Sequence, residues 1–141
     1  MATASATSFA VKRAVGPVAE GEALVCSKPF SPRYDIDRQA GTFSRPGHPL
    51  EGVSFAGKIL FFPGVQGGVM GGWVFLELSS RGRGPAALVF GRTNPVMVQG
   101  AIMAGLPILD GIDPAALDAI QNGDVVRVDP GNLSVEIVRR R

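Results

Sequence analysis

Lys58-Ile-Leu-Phe-Phe-Pro-Gly-Val-Gln-Gly-Gly-Val-Met-Gly-Gly-Trp-Val-Phe-Leu-Glu-Leu78 carries three structural signals in a row. Lys58–Phe62 is a continuous apolar run stopped by Pro63-Gly64, as suits a strand buried on both faces. Four of the six residues Gly67-Gly-Val-Met-Gly-Gly72 are glycine. Met70, Trp73, Val74 and Leu78 then recur at helical spacing, with Gly82 placed to end a helix. Trp-Val-Phe is also β-prone, so a strand competes there. Strand, glycine turn and helix in sequence predict an α/β class.

Working outward, Ala86–Phe90 reads as a second buried strand. Asn94-Pro95 is an N-cap and first-turn pair opening a helix to about Ala104, with Val98, Ile102 and Gly105 on one face. Leu106–Leu109 is a short strand. Asp113-Pro114 opens a short helix that Asn122-Gly123 ends. Asp124–Val128 and Leu133–Val138 bracket Pro130-Gly131 as a closing hairpin. Toward the N-terminus, Phe9–Val15 and Ala23–Cys26 read as strands, and residues 1–8 as a disordered tail. Pro29–Pro49 holds four prolines and two glycines and predicts a long irregular loop. Strands at the ends around an interleaved middle predict one domain, residues 9–141, barrel-like or three-layered.

Composition narrows the function classes. The 141 residues are 45% hydrophobic and 18% charged, which argues against general disorder. No apolar run approaches the ~20 residues of a membrane span, and no signal-peptide core is evident, so a soluble, cytoplasmic protein is expected. One cysteine and one histidine are too few for a protein-only metal site. Of the positive charges, three sit in Arg139–Arg141; without them the net +2 turns negative. That tail reads as a solvated end, and no nucleic-acid partner is expected.

Glycines free the backbone for close approach of a ligand, and the first amides of a helix face an anion-friendly site. The alternative for Gly67–Gly72 is a tight turn for packing. His48 suits general acid/base work, substrate binding or a structural hydrogen bond. Asp35 and Asp37 could in principle work as paired carboxylates, but Asp37 lies among Arg33, Arg38 and Arg45 as in a loop tied by ion pairs. Cys26 reads as core, lacking a local histidine to activate it. Trp73 and Met70 read as core.

An ordered series of blocks resembles the swivel domain of the aconitase X family, from about residue 10 to 138. The blocks are Gly21–Ser31, Asp37, Gly41, His48-Pro-Leu-Glu-Gly52, Ala56–Leu60 with Pro63, the glycine segment, Val74–Leu78, Gly84–Val89, Gly100–Ala104, Leu106-Pro107 and Gly123–Asp129. The resemblance implies a swivelling β/β/α domain of the aconitase type. It would be the small subunit of a hydro-lyase, closing over a larger catalytic subunit that carries iron or an iron–sulfur cluster. It implies a small anionic hydroxy-acid-type substrate contacted by Gly67, Gly68, Val69, Met70, Gly71, Gly72, Ser31, Asp37 and His48. Relatives usually read Gly-Ser-x-x-Gly-Ser in the loop and use a serine as base; here positions 68 and 72 are glycine, so no residue inherits that role. The competing readings are an inactive binding or regulatory module and an independent small enzyme.

Overall fold

Two apolar runs form the centre of the principal sheet. The computed structural model describes residues 7–66 and 71–141. The chain runs β1 (Ser8–Ala10), β2 (Arg13–Val15), β3 (Ala19–Val25), α1 (Pro32–Asp35), β4 (Ile36–Asp37), β5 (Thr42–Phe43), β6 (Ile59–Phe62), α2 (Gly71–Ser80), β7 (Ala87–Phe90), α3 (Pro95–Met103), β8 (Ile108–Asp110), α4 (Pro114–Ala119), β9 (Val125–Asp129), a 3-10 turn (Pro130–Asn132) and β10 (Ser134–Arg139). The sheet order is β1-β10-β9-β3-β6-β7-β8-β2, with β4 and β5 forming a separate pair. β3, β6, β7 and β8 are parallel. β1, β10, β9 and the first half of β3 are antiparallel.

Every residue of β6 and β7 is buried because both faces of these strands are covered. Leu60 and Phe62 face one core with Leu88, Phe90, Val74, Phe75, Leu78 and Met97. Ile59 and Phe61 face a second core with Phe9, Val126, Val135 and Ala116. Helices α2 and α3 thus cover one side, while α4 and side chains of the antiparallel strands pack on the other. Two segments stitch the antiparallel part to the parallel part. β3 pairs with β9 through Ala19–Glu22 and with β6 through Ala23–Val25. Residues 8–15 supply β1 against β10 and then β2 against β8.

The helix reading of Trp73–Leu78 holds. Beyond α2, the Gly82 and Arg83 N–H groups donate to the Ser79 and Leu78 carbonyls, with Gly82 at φ +72°. That is the paired bonding of a glycine-terminated helix. Its buried face is Val74, Phe75 and Leu78, whereas Trp73 is 66% exposed and is not core. Met70 lies outside the described residues, as do Gly67, Gly68, Val69 and residues 1–6 of the expected tail. In α3 the Asn94 side chain accepts from the Met97 N–H, but Met97, Gly100 and Ala101 form the buried face. Ile102 is exposed and Val98 only half-buried, because small residues let α3 lie close against α2.

The 29–49 stretch is less irregular than its prolines suggest. It contains the one-turn helix α1 and the β4–β5 hairpin, and it buries Phe30, Ile36 and Phe43. Phe30 stacks on Phe62 with ring centroids 4.5 Å apart, and Phe62 stacks on Phe90 at 5.6 Å. Aromatic burial anchors this segment across the carboxyl ends of the parallel strands. The C-terminal arginines are not simply solvated: Arg140 Nη1 donates to Asp124 Oδ2 at 2.9 Å, and the Arg141 N–H donates to Asp124 Oδ1 at 3.0 Å.

Candidate functional site

Parallel α/β sheets present ligands at the carboxyl ends of their strands. Here the chain leaving β3 and the chain leaving β6 remain side by side. The Cys26 N–H donates to Phe61 O, Phe30 N–H to Gly64 O, and Gln66 N–H to Phe30 O. A cavity of ≈ 370 Å³ lies at this edge, lined by Lys28, Asp35, Arg45, His48 and Gln66 among others. Gln66 immediately precedes the glycine segment, whose last members, Gly71 and Gly72, open α2.

Asp35 organises the cavity wall. Its carboxylate is 2% exposed. Oδ2 accepts the Ser31 N–H at 2.8 Å and Oδ1 accepts Arg45 Nη1 at 3.1 Å. A buried carboxylate is tolerated when its oxygens are paired in this way. Arg45 therefore pairs with Asp35 and not with Asp37. Asp37 is exposed and accepts the Gln39 and Ala40 N–H groups at 2.8 and 3.1 Å, closing the β4–β5 turn. Those amides, Ala40 first, hold its carboxyl below the ordinary aspartate value.

His48 lies flat on Phe43, ring centroids 4.9 Å apart. Its Nδ1 accepts the Leu50 N–H at 3.0 Å, which assigns the neutral ring proton to Nε2. Nε2 stands 3.7 Å from Cys26 Sγ and 3.9 Å from Asp35 Oδ2. Burial, reinforced by the positive charges of Lys28 and Arg45 against the opposing pull of Asp35, lowers the His48 pKa. The ring is neutral with both nitrogens facing protein, an arrangement that pins the loop and leaves no lone pair for a proton from a ligand. Cys26 does have a histidine beside it, contrary to its sequence surroundings. Burial nevertheless raises its pKa, helped by Asp35, while the Lys28 N–H opposes the rise.

Of the residues singled out from sequence, Ser31 and His48 are buried within this network, and Asp37 stands apart in its turn. Gly67, Gly68, Val69 and Met70 lie outside the described residues. Sequence reasoning missed Lys28, Asp35 and Arg45 as one group. The repeated basic and acidic residues of 28–45 were visible, but their partners were not. A second cavity of ≈ 580 Å³ runs between β2 and α3, lined mainly by apolar side chains and by the Arg13–Asp110 ion pair of 2.6 Å. Among the described residues no group of three or more His, Cys, Asp or Glu side chains is placed to hold a metal ion. No helix among them is long and apolar enough to cross a membrane.

Comparison with known proteins accords with this geometry. Residues 8–137 match the family model of the aconitase X swivel domain. The chain is 35% identical over 121 residues to the phosphomevalonate dehydratase small subunit of Pyrococcus horikoshii, covering 86% of this chain and 88% of that one. Against the same subunit of Thermococcus onnurineus it is 37% identical over 127 residues, covering 89% and 95%. The fold superposes on a chain of the crystal structure of Thermococcus kodakaraensis aconitase X (holo-form) with a TM-score of 0.87, 32% identity, and coverage of 95% of this chain and 100% of that one. A UPF0107 protein solved by NMR in solution is similar at a TM-score of 0.86 and 34% identity, over 94% of this chain and 99% of its own. An α/β domain of this topology, with its cavity at the carboxyl edge and a match along nearly its whole length, belongs to the aconitase X swivel domain family.

Proposed function

We propose that this chain is the small subunit of an aconitase-X-type hydro-lyase acting on a phosphorylated hydroxy acid of the mevalonate 5-phosphate kind. The similarity to dehydratase small subunits over most of both chains carries this reading. The large subunit would supply the iron or iron–sulfur group, whose chemistry when bound is Lewis-acid polarisation of the departing hydroxyl.

The role of this chain is to bind, orient and exclude water. It closes over the large subunit and brings the carboxyl edge of its sheet to the substrate. The amides of Gly67–Gly72, with Val69 and Met70 between them, approach the substrate's anionic group, since a glycine backbone brings N–H donors close without side-chain hindrance. Ser31, the N-cap residue before α1, borders this edge. His48 and Asp37 act by holding the 29–50 segment in shape, His48 through Leu50 N–H and Asp37 through its turn. With glycine at 68 and 72, and His48 Nδ1 engaged, the base for the carbon proton is supplied from the large subunit. Dehydration requires such a base.

The glycines at 68 and 72 also favour a second reading, in which the domain binds without supporting turnover. Anaerobic co-expression with the cognate large subunit separates the two. The dehydratase reading expects a co-purifying complex containing iron that forms the unsaturated product from mevalonate 5-phosphate only when this chain is present. A large subunit equally active alone, or chains that do not associate, would overturn it; a stable complex without turnover would favour the binding module.

A further inference from the structure

Among the described residues, two cations and one carboxylate line the carboxyl-edge cavity. Asp35 has one oxygen tied to the Ser31 N–H and the other to Arg45 Nη1. Arginine has five N–H donors in a rigid fork. One is held by Asp35, while the side chain remains 54% exposed at the cavity. Lys28, on the chain leaving β3, lines the same cavity and has no ion-pair partner among the described residues. His48 forms the floor as a neutral ring, 3% exposed. With His48 neutral, Asp35 offsets one of the two cations, and the cavity keeps a positive charge. Gln66 adds a neutral amide beside it.

A single carboxylate would be satisfied by the free edge of Arg45 alone. A phosphate monoester carries about −1.5 to −2 charges at neutral pH and three acceptor oxygens. It can take a forked contact from arginine and a point charge from lysine together. We infer that Lys28 and Arg45 form a subsite for the phosphate-monoester end of the substrate, with Asp35 as the positioning residue that aims Arg45. This rests on the dehydratase reading for its substrate, and it gives the phosphate dianion to two side chains while the glycine amides take the substrate's other anionic group, the carboxylate.

The test uses the assembled two-subunit enzyme with Lys28→Met, Arg45→Met and Asp35→Asn small subunits, each compared on mevalonate 5-phosphate and unphosphorylated mevalonate. Each of the two cation variants raises KM for the phosphorylated substrate about tenfold or more, and kcat falls by less. The preference for the phosphorylated over the unphosphorylated compound shrinks by a similar factor. Asp35→Asn raises KM in the wild-type background but adds nothing to Arg45→Met, a dependence that a purely structural role would not show. Unchanged KM in both cation variants of an active complex overturns the subsite while leaving the dehydratase reading intact. If no complex turns over, titration of the full isolated chain with inorganic phosphate, followed by amide NMR, decides instead. Shifts centred on residues 28 and 45 that vanish in the Lys28→Met/Arg45→Met double variant support the subsite. Their absence, or shifts that chloride reproduces at equal ionic strength, overturns it.

Discussion

Asp124 and His48 respond to acid in separate ranges. Asp124 is 1% exposed and accepts from the Gln121 and Arg141 N–H groups and from Arg140 Nη1. Burial alone would raise its pKa, but these donors together outweigh burial and leave it below the ordinary 3.8. Its stabilisation is present above 3.8 and is lost as the pH falls through the folded value. His48 is depressed from 6.5, so its contribution is complete above 6.5 and declines as the unfolded ring begins to take up protons that the folded one refuses. Urea unfolding across pH 3–8 is expected to show one decline below 6.5, removed by His48→Gln, and another below 4, reduced by Asp124→Asn but not abolished, since Asp37 is also held below its ordinary value. Asp124→Ala should cost about 2 kcal/mol at pH 7. Cys26, buried with its pKa raised, should resist iodoacetamide at pH 8 until denaturant is added, as followed by intact mass. The sequence reveals the burial of Cys26 through its apolar neighbours. It conceals the pairing with His48 because 22 residues and a hairpin separate them, and the contact depends on Phe43 and Phe62 packing in the same core.

Elements end where backbone geometry requires it, and two glycines illustrate different reasons. Gly82 has φ +72° with nothing within 4 Å of a hypothetical Cβ, so Gly82→Ala should cost only the left-handed backbone penalty, about 1 kcal/mol. At Gly91 a Cβ would stand 2.5 Å from the Pro63 carbonyl oxygen, where the ends of β6 and β7 meet. Gly91→Ala should cost about 3 kcal/mol, since backbone must move. Thermal unfolding of both variants checks the ranking, which reverses if packing at the strand ends is loose. The parallel strands were legible because burial on both faces leaves continuous apolar runs at 59–62 and 87–90. Helix α2 was legible from the glycines bracketing it. The face of α3 was not, because Val96, Met97, Val98, Ala101, Ile102 and Met103 make it apolar all round and only the approach of α2 selects a side. The 29–49 segment looked irregular because its order comes from aromatic contacts across the sheet, which no local pattern carries.

Assembly should register in the single tryptophan. Trp73, exposed in the first turn of α2 beside the glycine segment, should give the free chain an emission close to that of indole in water. Addition of the large subunit should shift that emission to the blue if the carboxyl edge faces the partner; unchanged emission in a verified complex would place the contact elsewhere. The way the chain is threaded has a consequence before any partner arrives. Ser8–Ala10 pairs with Ser134–Glu136, and the same N-terminal stretch continues into Arg13–Val15 against Ile108–Asp110. β1 therefore waits for β10. A nascent chain emerging from the ribosome cannot close this sheet until β9 and β10 have been made, and β3 lacks its β9 neighbour until then. Non-local closure of this kind is slow. Until that pairing forms, an apolar sheet edge is open to neighbouring chains, so chaperone supply and growth temperature should bear on the yield of folded protein.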